Sequence, residues 1–68
     1  MELSPKELQV LTLVALGYSD KEVSVQLKLG YGTVRTYLDR IILKLSAKNR
    51  THAVVRYMQR NPEWLLDK

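Results

Sequence analysis

Apolar residues recur along this chain at the three- and four-residue spacing of an α-helix, and no stretch sustains the two-residue alternation of a strand. The first helical stretch follows Ser4-Pro5-Lys6-Glu7, which reads as an N-cap serine, a proline at the first helical position and a glutamate three residues after the cap. It carries Leu8, Val10, Leu11, Val14 and Ala15 and is predicted to stop at Gly17, which takes the left-handed conformation at little cost. Ser19-Asp20-Lys21-Glu22 repeats the capping pattern and opens a short second helix with Val23, Ser24 and Leu27 on one face. Gly30 and Gly32, on either side of Tyr31, predict a sharp turn at the end of that helix. A third helix then restarts between Tyr31 and Thr33 and covers about residues 31–46. At 100° per residue, Val34, Tyr37, Leu38, Ile41 and Leu45 share one side of it, and Arg35, Thr36 and Asp39 share the other. A fourth helix opens near Asn49-Arg50, turns Ala53, Val54 and Tyr57 inward, and ends at Asn61-Pro62. The prediction is all-α, with the second and third helices joined as in a helix-turn-helix.

Domain organisation follows from length. A chain of 68 residues holds one domain and leaves no room for a buried catalytic cleft. Residues 1–60 form that domain, and residues 61–68 are a tail or short extra helix whose Trp64 seals one end of a small core. Cysteine is absent and His52 is the sole histidine, so disulfides, thiolate metal sites and a zinc site are not expected, and no cofactor is. There is no phosphate-cradling glycine loop, paired-carboxylate signature or nucleophile–base spacing, so the chain is not read as an enzyme. No apolar run approaches the roughly 20 residues that span a bilayer, and the first residues lack the order of a signal peptide. A cytoplasmic protein without a membrane partner is expected. Eleven Lys and Arg against seven Asp and Glu give a net charge of +4, which leans the protein toward polyanions.

The run LSPKELQVLTLVALGYSDKEVSVQLKLGYGTVRTYLDRIILKLSAKNRTHAVV, Leu3 to Val55, resembles the LuxR/GerE-type helix-turn-helix domain without a gap. Glu7, Val10-Leu11, Gly17, Lys21-Glu22, Thr33-Val34, Lys44-Leu45, Arg50 and Ala53 all fall in that family's register. The resemblance implies a four-helix DNA-binding domain of a bacterial transcription regulator, usually the C-terminal output half behind a receiver or ligand-sensing domain. It also implies a third helix that reads the major groove and a fourth that carries homodimer contacts, here at Val54, Val55 and Met58. Four positions depart from the family pattern. Gly30 replaces a capping serine, Asp20 an asparagine that often meets phosphate, and Tyr37 a histidine, while Asp39 stands where a basic or neutral residue is more common.

Within this frame Arg35 is the first candidate for DNA contact, because its guanidinium fork matches the paired acceptors of guanine or grips a phosphate. Thr36 and Asp39 occupy the same face as candidate base contacts; Asp39 is expected either to accept from a cytosine amino group or to be held by Arg35 one turn back. Thr33 and Tyr31 lie where a helix N-terminus favours a phosphate. Lys21, Lys28, Arg40 and Lys48 are candidates for a phosphate-facing rim, and Arg50 either approaches phosphate or pins the loop from Ser46 to Asn49. Lys44 and Glu7 read as a structural ion pair or a capping arrangement rather than a DNA contact, and His52 as a surface residue without a role. Leu8, Leu16, Val25, Leu43 and Val55 project from the packed faces and, with Met58 and Trp64-Leu65-Leu66, suggest a dimer face or a dock for a regulatory domain. Two other readings compete with sequence-specific DNA binding: a protein-interaction module of the same fold, and a sigma-factor-like promoter reader that works on RNA polymerase.

Overall fold

Two serine–glutamate pairs start the first two helices. In a computed structural model that describes residues 2–66, the Ser4 N–H donates to Glu7 Oε1 at 2.7 Å and the Glu7 N–H donates back to Ser4 Oγ at 3.2 Å, opening α1 (Pro5–Ala15). Ser19 and Glu22 repeat the exchange at 2.8 and 3.1 Å and open α2 (Asp20–Leu27). Each pair satisfies two N–H groups that the first turn would otherwise leave without partners. α3 spans Tyr31–Lys44 and α4 spans Arg50–Arg60, so the four helices follow the order and nearly the limits expected.

The first three helix ends follow one rule. After α1, the Tyr18 N–H reaches back to the Leu13 carbonyl and the Gly17 N–H to Val14, with Gly17 at φ +99°. The same pair of bonds closes α2 around Lys28 (φ +56°) and α3 around Ser46 (φ +53°). All three are Schellman ends, but only the first uses glycine for the left-handed residue.

The turn between α2 and α3 therefore differs from the sequence expectation. Its left-handed residue is Lys28, whereas Gly30 is extended at φ −68°, ψ 152° as the N-cap of α3, and Gly32 lies in the first turn of that helix. A left-handed L-residue costs about 1–2 kcal/mol, which the packing of the flanking helices offsets.

Packing centres on α3, which touches every other helix. Val34, Leu38, Ile41 and Leu45 are buried from its side, Val10 and Leu11 from α1, Val23 from α2 and Ala53 from α4. Burying each larger side chain is worth about 1.5–3 kcal/mol, which sets the rotation of α3 about its own axis. Glu7 is the one buried charged residue among those described, and the Lys44 ammonium at the end of α3 donates to its Oε1 at 2.8 Å. This is the expected ion pair, and it ties the start of α1 to the end of α3.

The chain after Pro62 runs as turns, not as the short helix that the sequence allowed, with the Trp64 N–H on the Asn61 carbonyl and the Leu66 N–H on Glu63. Trp64 nonetheless folds back as expected. Its ring meets Tyr57 edge-on at 4.7 Å, and its indole N–H donates to Thr12 Oγ1 at 2.9 Å. Asp67 and Lys68, the last two positions of the expected tail, lie outside the described residues.

Candidate nucleic-acid interface

Helical periodicity splits α3 into two faces. While Val34, Leu38 and Ile41 are buried, Tyr31, Thr33, Arg35, Thr36, Asp39 and Arg40 are all exposed. Tyr37 lies half-buried on the border between the two. Thr33, Thr36, Tyr37 and Arg40 line a shallow depression with Gly30 and Gly32, where the missing side chains leave the backbone of the first turn uncovered. Gly30 offers no side-chain cap, so the first N–H groups of α3 carry the positive end of the helix dipole toward solvent. The Thr36 hydroxyl donates to the Gly32 carbonyl at 3.0 Å, leaving its oxygen lone pairs to accept.

Arg35 does not hold Asp39, as one-turn spacing had suggested. Its Nε lies 3.8 Å from Oδ2 of Asp20, at the start of α2. The same carboxylate takes both ends of the Arg50 fork, Nη1 on Oδ1 and Nη2 on Oδ2 at 2.9 Å. Arg50 thus pins the opening of α4 to α2 rather than to the Ser46–Asn49 loop. The Arg50 hydrogen bonds hold the Asp20 carboxyl below its ordinary value against the opposing effect of burial, with the Arg50 and Arg35 charges adding to the shift. Arg50 is held more firmly protonated by the same contact. Asp39 is exposed and has no ion-pair partner among the described residues.

The remaining basic candidates are dispersed. Lys21 lies on the outer face of α2, where Tyr18, Glu22, Val25 and Gln26 make a shallow apolar patch. Lys48 sits before α4 and Lys28 at the end of α2, both exposed. Sequence reasoning gave His52 no role, but its Nδ1 accepts from the Lys48 N–H at 2.9 Å while its own N–H donates to Asn49 Oδ1 at 2.8 Å. The signal was present: Asn49 and His52 have the cap-to-third-residue spacing of the two serine–glutamate pairs. On α4, Val55 and Met58 are exposed, whereas Val54 is half-buried against the core. Leu8, expected to project outward, is half-buried and lines a groove with Pro5, Thr12, Leu13, Leu27 and Trp64.

A family model described as bacterial regulatory proteins, luxR family, matches residues 1–57. The chain belongs to the luxR family. Its four helices are that family's helix-turn-helix DNA-binding domain, a module of transcription regulation. Over 51 residues this luxR-family chain is 49% identical to the uncharacterized transcriptional regulatory protein YvfU of Bacillus subtilis (strain 168), covering 75% of this chain and 26% of that one. It is 44% identical to the transcriptional regulatory protein DesR of the same organism, covering 79% of this chain and 27% of the relative. The response regulator protein VraR of Staphylococcus aureus is 36% identical over 87% of this chain and 28% of its own length. The chain thus spans about a quarter of the length of these relatives. The solved structure of the transcription factor GerE superposes with a TM-score of 0.81 at 33% identity over 90% of both chains. No helix among the described residues is long and apolar enough to cross a membrane.

Proposed function

We propose that α3 enters the major groove of double-stranded DNA and that Arg35, Thr36 and Asp39 meet base edges there. The observation that carries this reading is the division of α3, whose buried residues fix its rotation so that these three side chains and Arg40 face outward together. Fourteen residues make a rod about 21 Å long, and the groove, about 12 Å wide, admits a helix. Arg35 presents donors to guanine O6 and N7, Thr36 accepts from an amino group, and the Asp39 carboxylate accepts from cytosine N4. Thr33, Tyr31 and the uncapped N–H groups meet a phosphate at the helix start, and Arg40, Lys21 and Lys48 form the surrounding rim. Arg50 contributes by fixing α4 against α2.

Val55 and Met58 supply an exposed apolar strip for a homodimer, which places two copies of α3 on half-sites about one helical turn apart. The chain acts in the cytoplasm as the DNA-binding part of a longer regulator with a receiver domain, in keeping with the quarter-length match to DesR and VraR.

Selection of bound duplexes from a random pool supplies the site, and Arg35→Ala then tests the reading. The expected loss is about 1–3 kcal/mol with relaxed preference at one base pair, on a background affinity that falls steeply with salt. Unchanged affinity and preference would remove Arg35 from the reading face. The exposed, unpaired Asp39 carboxylate favours one competing reading, a protein-interaction module; failure to retain any duplex at low salt would support it. Co-purification with RNA polymerase, and DNA binding only in its presence, would point to the sigma-factor-like alternative.

A further inference from the structure

Asp20 carries two arginines from two different helices, yet only one of them is hydrogen-bonded to it. Its pairing with Arg50 is complete, one fork against one carboxylate, and accounts for the junction of α2 and α4. Arg35 stands outside that pair. Its side chain is 56% exposed, its nearest approach to the carboxylate is 3.8 Å at Nε, and that distance is an electrostatic contact without a hydrogen bond. The donors at the far end of the fork, Nη1 and Nη2, have no hydrogen-bond partner among the described residues.

We infer that Asp20 is a positioning residue for DNA reading: anchored by Arg50, its carboxylate holds the Arg35 guanidinium by its Nε edge and so aims the free end of the fork at a base. The inference rests on the base-reading role of Arg35 proposed above. Two physical effects act together. Attraction at Nε narrows the orientations of a long, otherwise free side chain, so that fewer need be given up when the two-bond contact with guanine forms. The negative charge also opposes capture of Arg35 by the phosphate backbone, because a guanidinium beside a carboxylate gains less from a phosphate than a free one. A phosphate contact carries no sequence information, whereas a fork against O6 and N7 does. Asp20 accordingly trades general affinity for discrimination at one base pair.

The test compares wild type, Asp20→Asn, Arg35→Ala and the double variant on duplexes selected from a random pool, each measured against the same duplex altered at the base pair that Arg35 reads. Asp20→Asn keeps the shape and an acceptor for Arg50 but removes the charge. It is expected to bind unselected duplex more tightly, to steepen the slope of log affinity against log salt by about 0.9 as one more cation engages a phosphate, and to lower preference at that base pair by about fivefold or more. In the Arg35→Ala background the same change is expected to leave preference at that pair unaltered, as an effect that acts through Arg35 requires. If Arg35→Ala abolishes the preference while Asp20→Asn retains it in full, the positioning role is overturned and the reading role of Arg35 stands. If Arg35→Ala itself leaves the preference intact, both fall.

Discussion

Gly17 and Gly32 offer a paired perturbation in which the same added methyl group should act with opposite signs. A Cβ built on either residue meets nothing within 4 Å, so crowding is not a factor at either site. What differs is the backbone. Gly17 sits at φ +99° at the end of α1, whereas Gly32 is helical in the first turn of α3. Glycine in a helix is worse than alanine by about 0.5–1 kcal/mol, because it gives up more freedom on folding. Gly32→Ala should therefore stabilise the chain by about that amount, which for a domain of this size raises the melting temperature by about 2–8 °C. Gly17→Ala should lower stability by about 1 kcal/mol or more, since an L-residue rarely adopts that φ. Thermal unfolding followed by circular dichroism at 222 nm reads both, with urea midpoints as a check that the transition stays two-state. A second readout separates folding from function. Gly32 lies in the depression with Thr36 and Arg40, so the added methyl should weaken duplex binding by about 1 kcal/mol or more even as it strengthens the fold. A melting temperature for Gly32→Ala at or below that of wild type would refute the stability reasoning. A stabilised variant with unchanged DNA affinity would mean that nothing approaches α3 closely at this turn.

Two further outcomes concern stability alone. Burial pushes the Glu7 carboxyl up, but the Lys44 hydrogen bond, the Ser4 N–H and the Lys44 charge together hold it below its ordinary 4.5, and Asp20 is likewise held below 3.8 by Arg50. Both carboxyls are lowered by folding, so the stability they contribute is fully present above about pH 4.5 and is lost as pH falls through the depressed values. Urea midpoints from pH 7 to pH 3 should decline in that window, and less steeply in Glu7→Gln; a midpoint that rose on acidification would contradict the assignment. Lys28→Gly should stabilise by about 0.5–1 kcal/mol, because relief of the left-handed strain exceeds the added flexibility of the unfolded chain. Calorimetric melting checks it, and a lower melting temperature would show that the Lys28 side chain supplies contacts that outweigh its backbone strain.

Local chemistry was the legible part of this sequence. Ser4 with Glu7 and Ser19 with Glu22 announced two helix starts, Gly17 announced a helix end, and the 3.6-residue period picked out Val34, Leu38, Ile41 and Leu45 as the buried side of α3. Lys44 with Glu7 was legible through the family register. The other ion pairs between distant parts of the chain were not. Spacing on one helix suggested Arg35 with Asp39, but tertiary packing brings Asp20, fifteen positions upstream, to the Nε of Arg35 and leaves Asp39 alone. Glycine preference misplaced the turn for a related reason. Propensity says which residue is cheapest in a left-handed conformation, and here the helices on either side impose that conformation on Lys28 and leave Gly30 extended. His52 escaped notice because the usual capping vocabulary at the third helical position is glutamate or glutamine, although a ring nitrogen reaches back far enough to accept from Lys48, one residue before the cap.

The two-sided build of α3 has a consequence for how such a protein diversifies. Residues 35, 36, 39 and 40 protrude from a cylinder whose orientation is set by side chains on its opposite flank, so exchanging them leaves the interior untouched. Under the proposed reading of DNA by these residues, new operator preferences are accessible by mutation at near-constant thermal tolerance, and paralogues can drift apart in the promoters they address while keeping one scaffold. Position 20 is the exception under that reading, because the carboxylate there ties the joint and, as proposed, aims a reading side chain: drift at that site alters both together.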